Sequence, residues 1–180
     1  AFANELSLIC DALHIDVWEV ISLANRHPRV NILRPGPGVG GHCLAVDPWF
    51  IVSAAPKTAR LIRTAREVNE GKPGWVIERV LRHAEKLKAP KVGCLGLAYK
   101  PNIDDLRESP ALHIARELVQ KLPEGSVIAC EPHVDHISGI ALRPLEEVLS
   151  SADILIGLVA HDHFQGICLL YTSDAADDLY

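Results

Sequence analysis

Near residue 89 the chain changes hydrophobic period, and that change restricts its fold more than any other feature. Before it, apolar residues recur at helical spacing: Leu6, Ile9, Cys10 and Leu13, then Val17, Val20, Ile21 and Ala24 after His14-Ile15-Asp16. Trp49, Phe50, Val52 and Ser53 predict a short helix. Leu61, Ile62, Ala65 and Val68, then Trp75, Val76, Val80, Leu81, Ala84 and Leu87, predict a long one, with a kink or break at Gly71-Lys72-Pro73-Gly74. Beyond Ala89-Pro90 the pattern reads strand, helix, strand, helix, strand. The strands fall at 91–97, 126–130 and 153–159, and the helices at 110–121 and 144–150. Ser109 and Pro110 stand at the N-cap and first position of the first of those helices. Such alternation predicts an α/β fold with a parallel sheet, preceded by a helical region.

One loop carries chemistry-bearing residues. Pro35-Gly36-Pro37-Gly38-Val39-Gly40-Gly41-His42-Cys43 places four glycines within six residues, ahead of a lone cysteine. Without a Cβ, such a backbone can approach a ligand closely. Asp47-Pro48 reads as a helix start, with Asp as N-cap and Pro at the first position. A thiol about one turn before a helix N-terminus lies in a positive partial field that favours thiolate. The same run also suits a tight helix connection around a buried, inert cysteine. Gly36, Gly38 and Gly41 match the spacing of a dinucleotide fingerprint, but that motif needs a preceding strand and a carboxylate about 20 residues on. Only the short Val30-Asn31-Ile32-Leu33 precedes it as a strand candidate, and Arg60-Leu61-Ile62-Arg63 carries no acid. The fingerprint is rejected.

A second loop follows the first predicted strand: Ala98-Tyr99-Lys100-Pro101-Asn102-Ile103-Asp104-Asp105-Leu106-Arg107-Glu108. Ligands gather at the carboxyl ends of parallel strands, and cations ahead of a helix N-terminus suit phosphates. The loop reads equally as a solvated charged turn.

Composition narrows the function classes. A net charge of -5 gives no reason to expect nucleic-acid binding. No run approaches the ~18 apolar residues of a membrane span, so no membrane association is expected. The first residues lack a basic region and an initiator methionine, so the chain is expected to be cut from something longer. Cys10, Cys43, Cys94, Cys130 and Cys168 are odd in number and form no C-x-x-C pair, which favours a reducing, cytoplasmic setting without disulfides. Glu131, His133, Asp135 and His136 lie in a segment of turn character and are read as solvated; no metal is expected.

The motifs Asn4-Glu5-Leu6, His27-Pro28-Arg29, the glycine–cysteine run with Asp47-Pro48-Trp49-Phe50, Gly96-Leu97-Ala98-Tyr99-Lys100-Pro101 and Asp105-Leu106-Arg107-Glu108-Ser109-Pro110 occur in this order. Together they resemble the UDP-glucose/GDP-mannose dehydrogenase family from residue 1 to about 167. That resemblance implies a helical central dimerisation region over 1–88, holding the cysteine loop, and a Rossmann-like parallel-sheet UDP-binding domain over 89–167. It implies NAD-dependent, two-step oxidation of a nucleotide-sugar C6 alcohol to a carboxylate. The runs around His27 and Asp47 lean towards UDP-N-acetyl-D-mannosamine, with UDP-N-acetylglucosamine as the alternative.

The resemblance also implies residue roles. Cys43 is the nucleophile that captures the aldehyde. Asp47 helps activate water or orients the reacting groups, a role compatible with a plain N-cap. Gly36, Gly38 and Gly40 belong to the loop that wraps sugar and diphosphate. His27 and Arg29 bind substrate, the arginine across a homodimer formed through the central helices; a guanidinium suits that work by forking onto oxygens. Tyr99 and Lys100 bind the UDP-sugar, and Arg107 reaches the NAD diphosphate, while Glu108 is assigned to capping. The family's NAD-binding domain and catalytic lysine are not among these residues, so the 180 residues alone are expected to be inactive, a binding and dimerisation module. Residues 168–180 match nothing recognised in the family and are expected to be non-native.

Overall fold

The computed structural model describes residues 1–41 and 43–167, so His42 and the segment 168–180 lie outside the described residues. The chain divides into two compact units, Ala1–Gly36 with the stretch from Gly166, and Pro37–Gln165.

The first unit holds α1 (Phe2–Ala12) and α2 (Val17–Ala24), where the helical period predicts them. Asp16 caps α2, its carboxylate accepting the Trp18 N–H at 2.8 Å. Cys10, Val17 and Ile21 form a small core, with Leu6, Val20 and Ile32 packed against it. Between α2 and the glycine run no strand forms. The Asn25 amide instead clamps Ile32, its oxygen accepting the Ile32 N–H at 2.7 Å and its nitrogen donating to the Ile32 carbonyl at 3.0 Å. With its required strand missing, the dinucleotide fingerprint fails on structure as on sequence.

The second unit contains α3 (Cys43–Ala54), α4 (Arg60–Ala84), β1 (Val92–Leu95), α5 (Pro110–Lys121), β2 (Val127–Cys130), β3 (Ala141–Leu142), α6 (Leu145–Ser151) and β4 (Ile154–Gly157). The four strands pair parallel in the order β3-β2-β1-β4, which bears out the α/β fold class. The two-residue edge strand β3 is too short to show a period and was legible only in three dimensions. No helix among the described residues is long and apolar enough to cross a membrane.

Two helices correct the sequence reading. α3 opens at Cys43 rather than at Asp47, so Asp47 is not an N-cap and Pro48 lies inside the helix. Pro48 has no N–H to give the Leu44 carbonyl; Arg66 Nη1 donates to that oxygen instead, at 3.1 Å. α4 runs as one helix of 25 residues through Gly71 and Pro73, so of the kink or break expected there the break does not occur. Pro73 likewise cannot serve the Asn69 carbonyl, which faces Gly38.

Val92, Cys94 and Leu97 share one core with Ile77 and Val80 of α4 and with Leu112, Ile114 and Leu118 of α5. Burial pushes the Cys94 thiol up to about 12, so it is an inert core residue. α6 covers the opposite face at Gly93, where a Cβ would stand 2.7 Å from Val148 Cγ1 and 2.9 Å from the Ala152 methyl. Ser109 caps α5 as its sequence predicts, accepting the Leu112 N–H at 3.2 Å while its hydroxyl donates to the Leu97 carbonyl at 2.7 Å. Ile114 is fully buried. Ile114→Ala is therefore expected to lower unfolding free energy by about 2–5 kcal/mol in a urea titration; a loss below about 1 kcal/mol would contradict this packing.

Candidate functional site

The strand order reverses beside β1: the chain moves outward through β2 and β3, then returns to β1's other side as β4. Loops leaving neighbouring strands at such a reversal diverge and open a crevice at their carboxyl ends. Here the loop 96–109 after β1 meets the segment 158–165 after β4. Gly96, at φ +81°, makes the contact; a Cβ on it would stand 2.6 Å from the Val159 carbonyl and 3.0 Å from the His161 ring. Only glycine fits.

The base of this loop is held by residues that the sequence reading passed over. Glu131, directly after β2, was read as part of a solvated turn but is buried, whereas His133, Asp135 and His136 are exposed as expected. Its Oε2 accepts the N–H groups of Leu97 at 2.6 Å and Ala98 at 3.0 Å, and Oε1 accepts that of His133 at 3.2 Å. The same Oε2 lies 3.2 Å from His161 Nε2. His161 Nδ1 accepts the Asn102 N–H at 2.9 Å, which leaves Nε2 to carry the proton and donate to Glu131. The available signal was a single acid placed immediately after an apolar strand.

Higher on the loop, the Tyr99 N–H donates to the Asp105 carbonyl at 3.1 Å. Lys100 is exposed, its Nζ 5.3 Å from the Tyr99 ring centroid. Arg107 is also exposed and forks onto Asp105, with Nε at 3.0 and 3.1 Å and Nη2 at 2.7 Å from the carboxylate oxygens. These bonds hold the Asp105 carboxyl down to about 2 and push the guanidinium above its usual value. An anion reaching Arg107 must therefore compete with Asp105. Glu108 is not the cap assigned to it: it is exposed at φ 47°, and Ser109 caps the helix.

The glycine run lies against this same loop. A Cβ on Gly41 would meet the Tyr99 ring at 2.9 Å, one on Gly40 would meet Pro110 Cδ at 2.6 Å and the Glu108 carbonyl, and one on Gly38 would stand 3.2 Å from the Asn69 carbonyl. Close packing thus calls for glycine at 40 and 41, and the positive φ of +131° favours it at 38. Gly36 is different, with open space at its Cβ position. It belongs to the first unit, where its N–H donates to Oδ1 of the buried Asn4 at 2.8 Å. His27 and Arg29 are exposed in that unit, His27 Nδ1 accepting the Arg29 N–H at 3.3 Å.

Cys43 is exposed and opens α3, two residues after Gly41. Asp47, also exposed, lies four residues on and so shares its helix face. α3 is pinned to α4 by Arg66, whose Nη2 donates to Glu70 at 3.2 Å while Trp49 Nε1 donates to the same oxygen at 3.0 Å. A pocket of about 490 Å³ opens beside this joint, lined by Val39, Ala45, Arg66, Asn69, Glu70, Ser109 and His113 among others; Cys43 and Lys100 do not line it.

The central domain of the UDP-glucose/GDP-mannose dehydrogenase family matches residues 1–71, and that family's UDP binding domain matches residues 93–176. The chain belongs to the UDP-glucose/GDP-mannose dehydrogenase family. It is 59% identical over 169 residues to the NDP-N-acetyl-D-galactosaminuronic acid dehydrogenase of Ralstonia solanacearum, covering 92% of this chain and 40% of that protein. It is 56% identical to the UDP-N-acetyl-D-mannosamine dehydrogenase of Escherichia coli K12, covering 93% and 43%. A solved structure of the UDP-N-acetyl-mannosamine dehydrogenase Cap5O from S. aureus superposes with a TM-score of 0.79 at 42% identity, covering 98% of this chain and 40% of that one. The chain thus spans about 40% of the length of these relatives.

Arg66→Met would leave the Leu44 carbonyl without its donor beside Pro48. An expected loss of about 1–3 kcal/mol should appear as a lower urea midpoint, and an unchanged midpoint would show that this bond does not hold α3.

Proposed function

We propose that this chain forms the nucleotide-sugar half of an NAD-dependent dehydrogenase that oxidises the C6 alcohol of UDP-N-acetyl-D-mannosamine to the carboxylate. The observation that carries the reading is the packing of Gly38, Gly40 and Gly41 on the loop 99–110, beside an exposed cysteine that opens a helix. Residues 1–88 serve as the central dimerisation region and residues 89–167 as the UDP-sugar-binding domain. Exposed Ile9 on α1, with Trp18 and Leu23 on α2, supplies an apolar surface for a second copy of the chain.

Tyr99 and Lys100 bind the UDP moiety, Lys100 offering a mobile charge to phosphate. Gly36, Gly38 and Gly40 wrap sugar and diphosphate, while His27 and Arg29 contact substrate, the arginine from the partner protomer. Arg107, an exposed cation, would face the diphosphate of NAD, which when bound would supply the hydride acceptor for both oxidations. Cys43 Sγ adds to the carbonyl carbon of the aldehyde formed first, giving a thiohemiacetal. After the second oxidation the sulfur carries the product as a thioester. Water then adds, the C–S bond breaks, and the acid leaves with the thiol restored. Asp47, on the same helix face as Cys43, orients that water. The buried thiols Cys10, Cys94 and Cys130 suit a reducing, cytoplasmic setting.

The Ralstonia relative supports a second substrate, a galacto-configured N-acetylhexosamine. Turnover of the manno-, gluco- and galacto-configured UDP-sugars, by the chain extended to its relatives' length, decides among them; preference for either of the last two overturns the mannosamine assignment. In that enzyme Cys43→Ser is expected to reduce uronate formation by roughly three orders of magnitude, measured by chromatography, and wild-type yield would refute the cysteine's role. For the 180-residue chain, Lys100→Ala is expected to weaken UDP binding about ten-fold by calorimetry. Equal affinity would count against Lys100.

A further inference from the structure

We propose that Glu131 and His161 form an internal strut that positions the Tyr99-Lys100 loop for its nucleotide, a role that rests on the function proposed above for that loop. Both side chains are fully buried, 0% exposed. Their placement follows from strand order. β1 lies between β2 and β4, so Glu131 at the end of β2 and His161 beyond the end of β4 reach towards each other across the carboxyl end of β1. They meet where β1's own loop departs.

The strut grips that loop on both sides of Tyr99-Lys100. Below the pair, the Leu97 and Ala98 N–H groups donate to Glu131 Oε2. Beyond it, the Asn102 N–H donates to His161 Nδ1. The Asn102 side chain returns the connection, accepting the Asp162 N–H at 2.9 Å. The segment between the anchors carries Tyr99 and Lys100, and the Tyr99 ring in turn abuts Gly41, two residues before Cys43. A loop packed by apolar contacts alone would need no buried carboxylate, whose desolvation is costly unless it is well bonded. This carboxylate is bonded by backbone amides of the loop itself, so its interactions specify the loop's path.

The strut depends on the protonation state of His161. The titratable groups facing that ring are Glu131, His133 and His163, with the Phe164 ring at its edge. Burial, the largest influence, lowers the His161 pKa and favours the neutral ring. A proton added at Nδ1 would point at the Asn102 N–H and break that anchor. The native state binds this proton less readily than the unfolded chain, so the strut's contribution is complete above about pH 6.5 and is lost as pH falls below it.

Two variants of the full 180-residue chain test this. Glu131→Gln exchanges one acceptor oxygen for a donor, and His161→Phe keeps the ring volume while removing both nitrogens. At pH 7.5, hydrogen exchange of the 97–102 amides is expected to speed up about ten-fold or more in each variant, with β2 and α5 amides unchanged. Affinity for UDP-N-acetyl-D-mannosamine should fall about ten-fold by calorimetry, and the acid-side weakening seen in wild type should flatten in His161→Phe. Lys100→Ala should lose affinity while keeping the exchange pattern. Unchanged exchange at 97–102, a uniform speeding across the sheet, or full affinity in a loosened loop each overturns the proposal. If wild type binds no UDP-sugar while the exchange difference persists, the function proposed for the loop falls and the strut stands. Should one variant fail to fold, the other carries the same comparison.

Discussion

Everything in the second unit hangs on the double burial of β1. The strand is four residues long, buried throughout, and carries glycine at 93 so that α6 can close on one face while α4 and α5 pack on the other. Parallel strands are stable only when both faces are covered. That coverage places β2 and β4 on either side of β1 and forces the loops after all three strands to the same end of the sheet. The loop 96–109, with Tyr99, Lys100 and Arg107, is therefore placed by the core, not by its own composition.

Prolines shape the other wall of the site. Pro48 in α3 and Pro73 in α4 each release a carbonyl that an ordinary residue would occupy. A proline inside a helix normally costs ~3 kcal/mol, and α3 offsets part of that with a tertiary donor to the freed oxygen. At Leu44 the partner is the buried Arg66 guanidinium, which also holds Glu70. α3 is thereby fixed along α4 with Cys43 at its start. Gly40 and Gly41 ahead of it are dictated by contact with the loop 99–110, whatever ligand that contact serves.

Charge is handled differently at the two depths of the site. At the surface, Asp105 neutralises Arg107 in an exposed fork, and solvent screening makes such a pair readily exchangeable. In the interior, Glu131 is compensated by three amide donors and a neutral histidine. The outer cations thus stay available for an anionic ligand, while the inner pair is committed to structure. The function proposed above would use both, because phosphate recognition is of use only if the loop returns to one geometry at each turnover.

By itself the sequence determined the local elements and the family. The periods of α1, α2 and α5, the Asp16 and Ser109 caps, the strand–helix alternation and the glycine–cysteine run are all written over a few adjacent residues, and short-range sterics and hydrogen bonding enforce them. Tertiary structure alone decided the rest. The start of α3 contradicts the local proline rule, and its compensating contact comes from elsewhere; Arg66 is 22 residues from the carbonyl it serves. Glu131 lies 34 residues from the Leu97 amide and 30 from His161, and Asn102 is 59 from the ring it bonds. No local pattern encodes such pairs. They exist because strand order brings distant loop ends together, and a buried polar group must find its partner among whatever the fold delivers there.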